Sequence, residues 1–207
     1  MGRLQKILLP ALLVAGCAES PVAIDANNSL RHRRLDFAIA LPLELRREGW
    51  EFRPDRDALN RDRVYDIHVR TPVGLFARTE LAIEARALEV DPVLQSGETT
   101  SDWADRYPAQ FHLEYDSLER LSRTAIEVAG GQGLELSFIA REAQGRDVYV
   151  YAARIIGRET SIEFAAFLPN SALADTVRDD AIRSSYDQLF LHLLPRFGSI
   201  LQTVEFW

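Results

Sequence analysis

The chain has 207 residues, 24 Lys plus Arg against 31 Asp plus Glu, a formal net charge of −7, and single Cys and Met residues. That balance excludes a nucleic-acid binder, whose ligand phosphates require a net basic face. One Cys excludes an intrachain disulfide and any cysteine-rich metal site.

The first stretch has the make-up of an export signal. Arg3 and Lys6 precede an apolar run from Ile7 to Ala15 that contains Pro10, and the run ends at Val14-Ala15-Gly16-Cys17. About ten apolar residues would span only half of a hydrocarbon core of about 30 Å, so this is a signal core and not a membrane-spanning helix. Its end resembles the bacterial lipobox, in which an aliphatic residue and two small residues precede an invariant Cys. The resemblance implies cleavage between Gly16 and Cys17 and a covalent diacylglyceryl and acyl lipid on Cys17, with no other cofactor. Two or three acyl chains hold a protein firmly at a membrane. Ala18 stands where Asp would resemble an inner-membrane retention signal, which favours the outer membrane in a Gram-negative host. Cleavage removes Arg3 and Lys6 and moves the net charge from −7 to −9, which argues against a polybasic surface mode and leaves the lipid as the anchor. The expected organisation is a signal at 1–16, a lipidated N-terminus and flexible tether at 17–30, and one domain at 31–207. A domain of about 175 residues buries a core without covalent staples.

Ala18 to Leu30 is polar, aperiodic and contains Pro21, and reads as a tether reaching roughly 40 Å. Arg31, His32, Arg33 and Arg34 then form a small basic cluster, read as a solvated start to the domain, with contact to acidic lipid or an envelope protein as the sharper alternative. Alternation predicts strands over Leu35 to Ile39, Val64 to Val69 and Ala77 to Ala87; in the last, period two outweighs a helix-favouring composition. A helix is predicted from about Ser101, with Asp102 and Asp105 in its first turn. Trp103, Tyr107, Phe111, Tyr115 and Leu118 recur at helical spacing along it, with Pro108 as a kink or second start. The stripe reads as core laid against a sheet, and Trp103, Tyr107 and Phe111 are the candidates for lining a ligand pocket.

Strands follow at Thr124 to Ala129, Leu134 to Ala140, Val148 to Ala153 and Ser161 to Phe167. Gly130-Gly131-Gln132-Gly133 lies between two strands, which fits a hairpin and not a phosphate loop. From Ser171 on, Leu173, Val177, Ile182, Tyr186, Leu189, Phe190, Leu193 and Leu194 describe an apolar helical face, with Pro195 and Gly198 breaking or bending it. Trp207 reads as burying or capping the core. The four histidines, His32, His68, His112 and His192, lack metal spacing. Asp66 and His68 share a strand face but would need a third converging group.

The element order resembles the PsbP-like family, which includes DcrB-type bacterial lipoproteins. The residues that carry the resemblance are Phe37 to Pro42 with Gly49-Trp50, Ile126 to Gly131, Arg154-Ile155-Ile156-Gly157 and Phe197 to Phe206, where Thr203 and Val204 stand in place of Ser and Phe. It implies an α+β fold, an αβα sandwich around an antiparallel sheet, used for docking to protein complexes and not for catalysis. Two functions are therefore expected: a lipid-anchored extracytoplasmic module that docks to or helps assemble an envelope protein complex, or a binding module for a small or acyl ligand held between the aromatic helix and the sheet. The expected partners are the membrane, through the lipid, and an envelope protein.

Overall fold

A computed structural model describes residues 22–54, 64–70, 80–142, 147–169 and 180–207. The chain opens with a hairpin of β1 (Val22–Ile24) and β2 (Ser29–His32), in register from Val22 opposite His32 to Ile24 opposite Leu30. Asp25 makes the turn: its Oδ1 accepts the backbone N–H groups of Asn27 and Ser29 at 2.8 and 2.9 Å. Asn28 takes the left-handed conformation at φ 52, which Asn tolerates better than most residues. β3 (Phe37–Ala40) pairs with β2, and the two-residue β11 (Glu205–Phe206) closes the other side of β3, so this sheet has the order β1-β2-β3-β11. The expected tether is thereby corrected: Leu30 is fully buried opposite Ile39, and the folded unit begins by Val22. Polar turn residues between two three- to four-residue strands hid the alternation.

The second sheet is built from β4 (Glu51–Pro54), β5 (Val64–Arg70), β6 (Glu80–Ala87), β7 (Ser117–Val128), β8 (Gly131–Arg141), β9 (Val148–Ile156) and β10 (Thr160–Pro169). Its order is β4-β5-β6-β10-β9-β8-β7, antiparallel throughout. Among the described residues four α-helices accompany the sheets: α1 (Leu43–Arg47), α2 (Pro92–Gln95), α3 (Thr100–Arg106) and α4 (Asp180–Leu201).

Strand parity sorts the side chains into two layers, because successive residues point to opposite faces. Leu81, Ile83 and Ala85 of β6, Tyr149, Tyr151 and Ile155 of β9, and Ile162, Phe164 and Leu168 of β10 meet Tyr186, Phe190 and Phe197 of α4 and Phe37, Ile39 and Trp50 in the main core. Tyr149 lies 5.4 Å from Phe190, Tyr151 5.0 Å from Phe197, and Trp50 6.0 Å from Phe197. Each such ring contributes roughly 1.5–3 kcal/mol through burial. On the opposite face Leu136 and Ala152 meet Val93, Trp103 and Ala104 in a smaller core. Helix, sheet, helix is the α+β sandwich expected, and period two at β6 holds. The extra sheet was not expected.

Three local expectations are corrected. The aromatic helix stops at Arg106, because Pro108 removes a backbone donor, and Tyr107–Leu113 tightens into a 3-10 helix. Leu118 accordingly lies in β7, which opens at Ser117, seven residues ahead of the expected strand start, and Asp105 lies past the first turn of α3. α4 runs unbroken through Pro195, which is exposed, as is Leu191 one turn before it. Leu173, Val177, Ala77 to Thr79, Gln144 and Gly145 lie outside the described residues. Among the described residues no helix is long and apolar enough to cross a membrane.

Candidate functional site

The aromatic stripe becomes a ladder lying on the sheet. A reciprocal cap starts α3: Thr99 Oγ1 accepts the Asp102 N–H at 3.1 Å and Asp102 Oδ2 accepts the Thr99 N–H at 2.9 Å. That start turns Trp103 inward onto Leu136 and Ala152. The ring centroids then step 5.1 Å from Trp103 to Tyr107, 6.3 Å to Phe111 and 6.2 Å to Tyr115. Phe111 also stands edge-on to Phe138 at 5.1 Å and lies 6.2 Å from Phe167. Register explains the convergence, since Phe138, Val150 and Phe167 sit side by side on β8, β9 and β10. Trp103, Tyr107 and Phe111 are thus brought together as the sequence implied, though across a helix boundary. Trp103 is 3% exposed and Tyr107, Phe111 and Tyr115 are half-buried, while Phe167, which lies against Phe111, is 43% exposed and Leu113, two residues after Phe111, is 91% exposed.

A charged cluster adjoins the buried end. Arg154, fully buried, donates to Asp91 and, at 2.8 Å, to Glu163. Asp91 also accepts from Ser161 Oγ and from the Val93 N–H at 2.9 Å, capping α2. Burial opposes ionisation of Asp91, but the Ser161 hydroxyl, the Arg154 charge and the α2 N–H groups hold its carboxyl below the usual range. Glu163 goes the other way, since burial raises it more than Arg154 and Arg86 lower it. Burial and the Glu163 charge raise the Tyr107 phenol well above its ordinary value. Every acceptor direction of Asp91 is engaged, so the cluster joins α2 to the sheet and leaves no carboxylate lone pair for proton transfer. Sequence reasoning passed over Arg154 as a site residue. The signal was available, because a lone charge inside the run Val148–Ile156 requires a buried partner.

Among the described residues no three His, Cys, Asp or Glu side chains converge in a way that could hold a metal ion. The side chains of Asp66 and His68 fall outside the described set. His32, counted with the basic cluster, is buried: it stacks on Phe37 at 5.4 Å, and its Nδ1 accepts the Leu35 N–H at 2.9 Å. Burial and the neighbouring Arg34 charge lower its pKa to about 4, so it adds no positive charge at neutral pH.

The opposite end of β7 and β8 lies against the N-terminal sheet. Val22 pairs with His32, and beside it a hollow of about 500 Å³ is lined by Arg31, Arg33, Ala129, Glu205, Phe206 and Trp207. The Arg31 guanidinium stands 4.9 Å over the Trp207 ring, and Trp207 is 51% exposed, so Phe206 caps the core in its place. Gly131 and Gly157 seat the Phe206 ring, and Gly130 lies against the Phe206 backbone. The β7–β8 connection is a tight hairpin at Ala129-Gly130, with Gly130 at φ 76, as the glycine spacing implied. Six residues of β8 separate the Gln132 row from the Phe138 row, about 20 Å at ~3.4 Å each. Gly16 and Cys17 lie outside the described residues.

No protein-family model matches the chain, and no curated protein matches it. Three solved structures are similar in fold. A protein of unknown function from Pseudomonas aeruginosa aligns at a TM-score of 0.40 and 13% identity, covering 80% of this chain and 88% of its own. The cyanobacterial PsbP (CyanoP) of Synechocystis aligns at 0.49 and 12%, covering 93% of this chain and 96% of its own. LpqN of Mycobacterium tuberculosis, involved in cell envelope biogenesis, aligns at 0.47 and 9%, covering 87% and 85%. At these identities the likeness is one of fold alone.

Proposed function

We propose that this chain is a lipid-anchored extracytoplasmic module that docks to, or helps assemble, an envelope protein complex and performs no chemical step of its own. The observation that carries the reading is the contrast between Trp103, 3% exposed, and the apolar side chains around Phe111, where Phe167 is 43% exposed and Leu113, two residues along the chain, is 91% exposed. Rings with partners inside the protein are core. Apolar side chains left outside together at one end are what a partner's surface covers. The lipid on Cys17 supplies the attachment, and the open end of the ladder, about 20 Å along the strands from the N-terminal end, faces outward to neighbours.

The half-buried Tyr107 and Phe111 favour a second reading, in which a small or acyl ligand lodges at that open end. Cross-linking in intact cells tests both, run with native protein, Phe167→Glu and Cys17→Ala. A reproducible envelope partner lost in Phe167→Glu supports docking; no reproducible partner overturns it. Native mass spectrometry of the purified protein showing a retained small molecule turns the choice to the second reading.

A further inference from the structure

We infer that the end of the domain carrying Arg31, Arg33, Arg158 and Trp207 rests on the headgroup layer of the membrane, with phospholipid phosphates as ligands of the arginines. The inference rests on the lipid-anchor reading above and adds an orientation to it.

Chain length comes first. Only five peptide units separate Cys17 from Val22, a reach of at most about 18 Å. Val22 pairs with His32, so the short leash emerges beside Arg31 and Arg33. With an acylated Cys17 in the interface, this end is the part of the domain that meets the bilayer.

The chemistry at that end suits the meeting. Trp207, 51% exposed, presents an amphipathic ring of the kind that settles at headgroup level, and Arg31 stacks over it at 4.9 Å. A guanidinium binds a phosphate through paired N–H donors, and the hollow of about 500 Å³ between Arg31, Arg33 and Trp207 has room for a headgroup.

Charge distribution sets the direction. In the turns and strand that form this end, Arg31, Arg33, Arg34 and Arg158 are offset by Asp36, Glu127, Glu159 and Glu205, which leaves it close to neutral. Among the described residues this end therefore carries little net charge, whereas the chain as a whole is left at −9 after loss of Arg3 and Lys6. An anionic leaflet repels the rest of the domain and not this end.

The test uses the full lipidated protein in phosphatidylcholine vesicles with and without about a third phosphatidylglycerol, the lipids carrying bromine high on the acyl chain. Flotation reports the anchor; quenching of Trp207 reports the face. Trp50 and Trp103, 2% and 3% exposed, give the background measured in Trp207→Phe. The expected result is flotation in both vesicles, quenching of native protein but not of Trp207→Phe, and a face-bound fraction weakened about fivefold by Arg31→Ala in anionic vesicles. Protein that floats while Trp207 stays unquenched overturns the orientation and leaves the anchor standing. Protein that floats in neither vesicle overturns both.

Discussion

Phe206 lies flat against Gly157, so closely that a β-carbon on Gly157 would fall inside the van der Waals envelope of its ring. Gly131 faces the same ring, its added β-carbon 2.7 Å from Phe206 Cε2. The strand that closes the N-terminal sheet is thus held by two glycines, Gly131 of β8 and Gly157 in the turn between β9 and β10. Gly157→Ala is expected to cost about 1–3 kcal/mol through overpacking. In a Phe206→Ala background the same change should cost far less, because the clashing ring is gone. A double-mutant cycle by urea unfolding measures the coupling; equal costs in both backgrounds would refute the seat.

Arg154 and Asp91 are 1% and 0% exposed in their side chains, a buried pair joining β9 to the start of α2. Taking one partner away strands the other charge. Asp91→Ala is expected to destabilise by about 3–5 kcal/mol, with a further loss from the missing α2 cap. Replacing both, as Asp91→Asn with Arg154→Met, should cost less than Asp91→Ala alone. Chemical unfolding midpoints of the three variants decide the order, and a double variant as unstable as the single would show that the pair itself, not the stranded charge, matters.

His32 gives the fold an acid-sensitive element. Its folded pKa of about 4 lies below the unfolded value of 6.5, so the unfolded chain takes up the proton first. The stability it confers is complete above pH 6.5 and is lost as pH falls towards 4, about 3 kcal/mol in all. Asp91, also depressed, adds stability present above its unfolded value near 4 and lost at lower pH. Glu163, raised by burial, has the opposite sign: its contribution is present below its unfolded value and lost as pH rises through the folded one. His32→Phe keeps the stack on Phe37 while removing the titration. Its unfolding free energy should fall by about 2 kcal/mol less than that of native protein between pH 7 and pH 5. Parallel pH profiles would exclude His32 as the titrating group.

What could be read from the sequence follows from where water lies. β6, β9 and β10 each have one face towards α4, so parity survives in the residue order and the strands are legible. β7 is an edge strand in which Ile126 alone is buried, and Ser117 to Arg123 alternate nothing, so its first half reads as loop or helix. The β1–β2 hairpin was missed for a related reason: among its described side chains only Leu30 and His32 are buried, and one of them is a histidine. The aromatic spacing implied that Trp103, Tyr107 and Phe111 share a face, and their rings do meet even though the backbone changes helix type between them. Spacings of four residues fit a short helix followed by a 3-10 turn nearly as well as one long helix. The register that sets Phe138 and Phe167 on either side of Val150, both within reach of Phe111, depends on contacts between strands remote in sequence, and no local pattern carries it.

The contrast between Trp103 and the side chains around Phe111 predicts a separation of stability from binding. Trp103 fills the smaller core against Leu136 and Ala152, so Trp103→Ala is expected to cost about 3–5 kcal/mol. Phe167 is already 43% exposed and touches Phe111 from the rim. Phe167→Glu places its carboxylate in water, and its cost should stay near 0.5 kcal/mol, the usual range for a surface change. Thermal unfolding of the two variants, read beside their cross-linking yields, makes the distinction. Loss of the partner in Phe167→Glu with an unchanged melting temperature assigns the open end to docking. A large fall in melting temperature in Phe167→Glu would instead return the whole ladder to the core and remove the rim as a binding surface.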